Sequence, residues 1–226
     1  MPVDEALIAE ALRIYRRFAV EVVEGLSLCP WAEHARKSGR VTERVLLTER
    51  RDVSAVQAVI AEHAERADVE ILLVIFPRLT LDRRGFALFV ADLARAEADR
   101  HEIGTVPFAM AAFHPDAPAD LSDAERLIPF LRRSPDPTIQ LVRRSVLEAV
   151  RQRAPEGTEF VDLRLLDPKV LEADRTPSLR ARIAEENLHT VRRVGVAEIE
   201  RLLADIRADR DASYARALAT RSAVSG

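Results

Sequence analysis

Cysteine is almost absent from this chain, which has one, Cys29, in 226 residues. A single thiol excludes an internal disulfide framework and any metal site built from several cysteines. Long apolar runs are also missing: those such as ILLVIF at 71–76 fall far short of the roughly 20 residues that cross a bilayer. The start MPVDEALIAE lacks the basic and apolar regions of a signal peptide. We therefore expect a cytoplasmic protein that does not bind membranes.

Charge of one sign is not in excess, because 34 Lys and Arg residues face 37 Asp and Glu residues. Such a balance gives no overall field for a polyanion, so nucleic acid is not an expected partner. The chain also lacks GxG, GxxxxGK[ST], HExxH and GxSxG motifs, which disfavours nucleotide binding of the Walker type, zincin proteolysis and the serine-hydrolase elbow. No spacing of histidines and carboxylates favours a metal site. We expect neither a metal nor a cofactor.

The sequence does contain an alternation of helical and extended patterns. Apolar residues recur at helical spacing over 4–26, which predicts a long N-terminal helix. Strands are predicted at 43–48, 69–76 and 105–113, with helices from Asp52 to about Ala67 and from Asp82 to about Asp99 between them. Strands separated by such helices usually run parallel. The pattern therefore predicts an α/β (or α+β) fold, with a mostly parallel sheet of three to five strands covered by helices.

Further elements are predicted in the C-terminal half. Ser122 is a suitable cap for a helix over 123–132, and Pro137 is suited to opening a helix over 138–152. A short strand is expected at 159–163 and an amphipathic helix from Val196 to Ile206. No linker divides the chain, so we expect one domain over 1–215 and a frayed tail over 216–226.

The first candidate site is LCPW at 28–31, after the N-terminal helix. Pro30 suits the first turn of a short helix running to about Lys37, which would place Cys29 at its N-cap. The positive end of a helix lowers a thiol pKa, so Cys29 is predicted to be a nucleophile, with His34 close in sequence. The alternative is that this lone cysteine is a small buried hydrophobic residue.

The second candidate is FHPD at 113–116, where a predicted strand ends. Ligands bind beyond the carboxyl ends of strands in open α/β sheets, so His114 is predicted to act as a general acid or base, or to bind an anion. The alternative is a structural histidine that holds the loop by a hydrogen bond. His63, on the apolar side of its helix, and His101, in a polar turn, are expected to be structural or surface residues.

The third candidate is RRSPDPT at 132–138, which leads into a predicted helix. Guanidinium groups, a serine hydroxyl and a helix N-terminus together suit a carboxylate, sulfate or phosphate. The predicted anion ligands are Arg132, Arg133, Ser134 and Arg143. The alternative is that Arg132 and Arg144 only solvate a helix surface, while Asp136 occupies the helix cap and repels an anion.

These segments, LCPW at 28–31, FHPD at 113–116 and RSPDPTIQLVR at 133–143, occur in order with ENLHTVRRVG at 186–195. Together they resemble the bacterial domain-of-unknown-function family 1415, over about residues 10–195. The resemblance implies no particular reaction, because the family has none assigned. The positions it shares are Cys29, Pro30, His114, Pro115, Arg133, Ser134, Pro135, Pro137, Arg143 and Asn187.

The chain departs from the family pattern at several positions. Trp31 replaces a phenylalanine, Arg132 an asparagine, Asp136 a tyrosine, Gln140 a histidine and Arg144 an acidic residue. The loss of a histidine and an acidic residue and the gain of arginines favour anion binding. The chain also resembles, more weakly, the aziridine-forming proteins of azinomycin-type antibiotic biosynthesis, which expel a sulfate ester by internal amine attack. Such an enzyme needs arginines for the leaving oxyanion, a base for the amine and a pocket that enforces in-line geometry.

The sequence thus predicts an enzyme with lyase or transferase-type chemistry on a small anionic metabolite. Arg133 and Arg143 would bind the anion, and His114 would be the general acid or base. One alternative is a non-catalytic subunit that binds a small protein partner or forms a homo-oligomer. Another is a redox or acyl-transfer protein that needs Cys29 exposed near a histidine. A concave site lined by Trp31, His114 and Arg133 would favour the enzyme, and a flat arginine face the binding subunit.

Overall fold

The computed structural model describes residues 3–29, 31–102, 104–153 and 179–224, so Pro30 and the strand predicted at 159–163 lie outside the described residues. The N-terminal helix α1 (Val3–Phe18) continues directly into a π-helical segment (Ala19–Glu24). The long helix predicted over 4–26 is therefore confirmed, with a change of helical pitch in its last third.

Helices and strands alternate along the rest of the chain. In order they are α2 (Ala32–Lys37), β1 (Val41–Val45), α3 (Val53–Ala64), β2 (Ile71–Ile75), α4 (Arg83–Ala98), β3 (Phe108–Phe113), α5 (Ala124–Leu131), β4 (Thr138–Arg143), α6 (Arg144–Arg153), α7 (Leu179–Val194) and α8 (Val196–Val224). Each strand and helix predicted before residue 132 is present.

The four strands form a mixed sheet in the order β1-β2-β4-β3. β1 pairs in parallel with β2, whereas β4 is antiparallel to both β2 and β3. The α/β class is confirmed, and the four strands of the described residues fall within the predicted three to five. The prediction of a mostly parallel sheet is wrong, although β1, β2 and β3 do run in one direction. β4 lies between β2 and β3 and runs in the opposite direction, so the sheet has two antiparallel pairs, β2–β4 and β4–β3, where a parallel β2–β3 pair was expected.

β4 overturns the helix that Pro137 was predicted to open over 138–152, since the helix begins only at Arg144. Thr138, Ile139 and Val142 are β-branched and favour extended backbone, and the strand pairs on both sides, which satisfies its peptide groups. Ile139 and Leu141, two residues apart, are completely buried. The buried apolar residues of this segment therefore recur every second residue, as in a strand, and not at the spacing of a helix.

Carboxylates cap the starts of α3, α4 and α5. Asp52 and Asp82 accept backbone N–H groups at the starts of α3 and α4. At α5 the cap is Asp123, not Ser122 as predicted: the Asp123 carboxylate accepts two backbone N–H groups, while Ser122 bonds to Asp120. A carboxylate is favoured there because it also interacts with the positive end of the helix.

Helices cover both faces of the sheet. α3 and α4 pack on the face that presents Leu72, Val74 and Ile139, and α1, α5, α7 and α8 pack on the face that presents Leu73 and Ile75. Successive strand residues point to opposite faces, so β2, which is buried throughout, contributes to both cores. The candidate site lies on the second of these faces.

α8 runs beside α1 and joins the two ends of the described chain. Arg13 and Arg17 of α1 both donate to the carboxylate of Asp209 at 2.7 Å, and Tyr214 packs with apolar residues of α1. α8 continues as helix through 216–224, the part of the chain predicted as a tail, and Ala217 is buried. No helix among the described residues is long and apolar enough to cross a membrane.

Candidate functional site

A cavity of about 880 Å³ lies between the sheet and the helices on the α1 side. Its floor is the sheet, and its walls come from α1 with the π-helical segment, α2, α5 and α7. A volume of this size is in the range of pockets that hold drug-sized molecules. Most of the lining is apolar, and a small number of polar side chains interrupt it.

The π-helical segment forms one wall through Ala19, Val20, Val23 and Glu24. A π-helical turn widens the helix, and such turns occur frequently at functional sites. Gly25 ends the segment, and a Cβ there would lie 2.6 Å from the carbonyl oxygen of Glu21, so the tight exit requires glycine. The wall therefore has its present shape because of a local departure from α-helical geometry.

Tyr15, from α1, places its phenol at the cavity. The side chain is 6% exposed, and no hydrogen-bond partner for the hydroxyl is found among the described residues. Burial raises the pKa of Tyr15 strongly, and the nearby charge of Glu43 raises it further. The phenol is therefore neutral across the physiological range and available as a hydrogen-bond donor.

Trp31 and Cys29 line the cavity next to each other in sequence. The indole N–H of Trp31 is buried and has no hydrogen-bond partner among the residues described. Trp31, not Cys29, occupies the N-cap of α2, so the predicted cap position of Cys29 is wrong. Burial raises the pKa of the Cys29 thiol, and the backbone N–H groups of Trp31 and Ala32 offset this only in part. The sulfur is thus a neutral thiol at pH 7, not the predicted thiolate.

Arg132 and Asn187 also face the cavity. The guanidinium of Arg132 lies 5.6 Å from the ring centre of Phe113, at the end of β3. The amide of Asn187 donates to the carbonyl of Leu28 at 3.2 Å and so connects α7 to the segment that carries Cys29. Asn187 therefore lines the cavity and also holds the segment around Leu28 against α7.

Two ion pairs stand among the lining residues. Arg16 donates to Glu43 at 2.6 Å, and Arg36 donates to Glu24 at 2.6 Å and 2.8 Å. Arg16 and Arg36 are exposed, whereas Glu43 and Glu24 are more buried, with side-chain exposures of 16% and 9%. Both carboxylates are thus held at the cavity by a surface arginine.

His114 lies outside this cavity and is engaged on both ring nitrogens. Its Nε2 lies 2.9 Å from the carbonyl oxygen of Leu81, and its Nδ1 accepts the backbone N–H of Asp116 at 3.1 Å. The ring is 7% exposed and packs beside Phe86. These contacts are those of a histidine that holds a loop, the structural alternative, and the fold does not bring His114 to the cavity.

Arg133 and Ser134 also lie away from the cavity. Arg133 borders a small cleft of about 100 Å³, donates to the carbonyl of Pro115 at 3.1 Å and pairs with Glu200 at 3.5 Å. The hydroxyl of Ser134, which is buried, donates to the carbonyl of Asp136. Because adjacent side chains diverge at the turn before β4, Arg132 faces the cavity and Arg133 does not.

Arg143 is not available to an anion. Its guanidinium donates to the backbone carbonyls of His63, Ala64, Arg66 and Val69, and its carbon lies 4.7 Å from the ring centre of Phe108. Carbonyl oxygens at the C-terminal end of a helix attract a cation. Arg143 therefore completes the end of α3, on the opposite face of the sheet from the cavity, and the predicted pair with Arg133 is not formed.

Asp136 is neither a helix cap nor exposed. Its buried carboxylate accepts the guanidinium of Arg210 at 2.6 Å and the hydroxyl of Tyr214 at 2.6 Å. A buried carboxylate requires such partners, since an unpaired charge in the interior is strongly disfavoured. The interaction anchors α8 to the loop before β4.

Comparison of the sequence with known protein families identifies one match. A family model described as a protein of unknown function, DUF1415, matches residues 11–164. The chain belongs to the DUF1415 family. No curated protein and no solved structure matches the chain. In this DUF1415 protein the matched residues include every polar cavity residue named above except Asn187.

The fold of this DUF1415 protein thus brings together Cys29, Trp31, Arg132 and Asn187 and separates them from His114, Arg133, Ser134 and Arg143. Sequence reasoning missed the remaining polar lining, which is Tyr15, Arg16, Glu24, Arg36, Glu43 and Gln140. Tyr15 fell within the apolar stripe of α1, and Glu43 and Gln140 lie in strands. The available signal for Gln140 was an amide side chain between Ile139 and Leu141, two apolar residues that are completely buried. No group of three or more metal-binding side chains occurs in the described ranges.

Proposed function

We propose that the protein is an enzyme that binds a small metabolite with an apolar body and an anionic head in the cavity above the sheet. The observation that carries the proposal is a set of polar groups in an apolar lining: among the described residues, the Trp31 indole N–H is buried without a hydrogen-bond partner, and the Tyr15 hydroxyl, which also lines the cavity, has no partner. Leaving a buried donor unpaired costs about 1–3 kcal/mol, which a ligand acceptor atom would offset.

The available donors favour an anionic or oxygen-rich head. Trp31 can only donate, Tyr15 stays protonated because its pKa is raised, and Arg132 is cationic. Donors fixed within a mostly apolar lining interact strongly with negative charge. The anion site thus remains part of the proposal, at Arg132 and Trp31, which the sequence predicted, together with Tyr15, and without Arg133, Ser134 and Arg143.

For the reaction, we propose displacement of an anionic leaving group such as sulfate by an amine of the same molecule. The amine nitrogen forms a bond to the carbon that carries the ester oxygen, the carbon–oxygen bond breaks, and sulfate departs with the electron pair. Arg132 and Tyr15 stabilise the charge on the leaving oxygen, and Glu43, which is close to Tyr15, accepts the amine proton. Such a reaction requires no covalent intermediate with the protein.

Binding is tested by following the emission of Trp31, the chain's one tryptophan, during titration with octanoate, octyl phosphate, octyl sulfate and octanol. We expect the anions to change the emission and to raise the melting temperature by mass action, and octanol to act less. Arg132→Ala should weaken anion binding about tenfold or more, while Arg133→Ala, one residue away and outside the cavity, should not. Equal effects of the two variants, or no response to any anion, would refute the proposal.

Catalysis is tested with an alkyl sulfate ester that carries an amine on the neighbouring carbon, by measuring released inorganic sulfate. We expect release by the wild type and a loss of at least a hundredfold in Glu43→Gln, since a positioned base contributes about 10²–10⁴-fold. Glu62→Gln, on exposed surface of α3, is the matched control. Anion binding without sulfate release would leave the binding site standing and remove this reaction.

A further inference from the structure

The floor of the cavity has a polar row running across the sheet. The strand register aligns Glu43 of β1 with Leu73 of β2, Leu73 with Gln140 of β4, and Gln140 with Ala111 of β3. All of these side chains line the cavity. The neighbouring row, Val41–Ile71–Val142–Ala109, is entirely apolar. Polar groups of the floor are therefore concentrated at one level along the strands.

Glu43 and Gln140 differ in their partners within this row. Glu43 is paired with Arg16 at 2.6 Å. The side-chain amide of Gln140 is half-buried between Leu73 and Ala111, and the described part of the chain offers it no hydrogen-bond partner. An apolar residue at this central position would pack with its neighbours at less cost, since a half-buried amide loses part of its hydration without gaining a protein partner. The amide is directed at the cavity, where a ligand can satisfy it.

Register also gives the distance from Gln140 to the proposed anion site. The guanidinium of Arg132 lies over the ring of Phe113. Phe113 pairs with Thr138, which precedes Gln140 by two residues in β4. Two residues of a strand span roughly 7 Å. A group that contacts Gln140 therefore lies about this distance from the anionic head of the ligand.

Building on the proposed function, we propose that Gln140 determines specificity by hydrogen bonding to a neutral polar group, a hydroxyl or carbonyl, on the apolar body of the ligand. The amide both donates and accepts, so it can pair with either group, whereas it gives no charge to attract an ion. A ligand without such a group leaves the amide unpaired. The expected preference for the hydroxylated ligand is about five- to tenfold in Kd.

The test compares octanoate with 5-hydroxyoctanoate, whose hydroxyl lies at about the required distance from the carboxylate. Both are titrated against the wild type, Gln140→Met and the control Gln57→Met, with Trp31 emission as the readout. Gln57 belongs to α3 on the other face of the sheet. We expect the wild type and Gln57→Met to prefer the hydroxy acid, and Gln140→Met to bind both acids equally and octanoate no more weakly than the wild type does.

The outcomes separate the two proposals. If octanoate binds but the wild type shows no preference, or if Gln140→Met keeps the preference, the role of Gln140 is refuted and the cavity remains a binding site. If neither acid binds the wild type, the anion-binding proposal fails and the role of Gln140 fails with it. The wild-type comparison alone can refute the inference, so it does not depend on the folding of Gln140→Met.

Discussion

Replacing Arg143 with alanine should destabilise the fold without affecting the ligand site. In the structure this guanidinium donates to four backbone carbonyls around the end of α3 and lies against the ring of Phe108. It thereby connects the last residue of β4 to α3. If Arg143 instead bound an anion, as the sequence suggested, its removal would mainly weaken binding.

The magnitude follows from these contacts. A hydrogen bond contributes about 1 kcal/mol net, so four contribute about 4 kcal/mol, and water replaces some of them because the site is partly exposed. The contact with the aromatic ring adds about 0.5–1 kcal/mol. We expect a loss of about 3 kcal/mol in the free energy of unfolding. With a urea dependence of about 3 kcal/mol per molar, the midpoint falls by about 1 M.

Urea unfolding followed by far-ultraviolet circular dichroism measures this shift. Arg144→Ala is the matched control, because Arg144 is exposed and next in the chain, and its free energy of unfolding should stay within about 0.5 kcal/mol of the wild type. Arg143→Lys keeps the charge but has one nitrogen and should recover less than half of the loss. Equal midpoints for Arg143→Ala and Arg144→Ala would refute the structural role.

Other perturbations test the remaining contacts. Asp136→Ala should cost about 3–5 kcal/mol in urea unfolding, because it leaves Arg210 without its buried partner, whereas Asp211→Ala, at an exposed carboxylate, should cost less than about 1 kcal/mol. Because burial raises the pKa of Cys29, its alkylation by iodoacetamide should be slow at pH 7 and accelerate as the pH rises above the ordinary thiol pKa; rapid reaction at pH 7 would contradict this. Arg13 and Arg17 lower the pKa of Asp209, so the stability that this carboxylate contributes is present above its unfolded pKa of about 4 and is lost as the pH falls below that value. Asp209→Asn should therefore reduce the difference in free energy of unfolding between pH 7 and pH 3, by less than about 1 kcal/mol because the pair is partly exposed to solvent.

The local elements of the fold could be predicted because apolar periodicity and flanking polar residues specify them. β2 and α4 illustrate this, since their bounds agree with the sequence patterns to within about two residues. The position of β4 could not be predicted in the same way. Its residues fit a helix or a strand, and the choice depends on pairing with β2 and β3, which are distant in sequence.

The candidate site was harder to predict because side-chain direction depends on the tertiary fold. Arg132 and Arg133 are chemically identical neighbours, yet one lines the cavity and the other a separate cleft. His114 has a suggestive place at the end of β3, but both of its ring nitrogens are used by backbone groups. Asn187 came from the family resemblance and Trp31 from the LCPW segment, where it departs from the family pattern, and both line the cavity.

The place of β4 also bears on how the chain folds as it is synthesised. When residue 113 has left the ribosome, β1, β2 and β3 are all present and share one direction, but β3 has no neighbour until residues 138–143 follow. One edge of β2 therefore stays unpaired until β4, more than sixty residues further along the chain, has been synthesised. Contacts between such distant segments form slowly, and an unpaired buried strand promotes aggregation. We expect nascent chains that end between β3 and β4 to depend on chaperones.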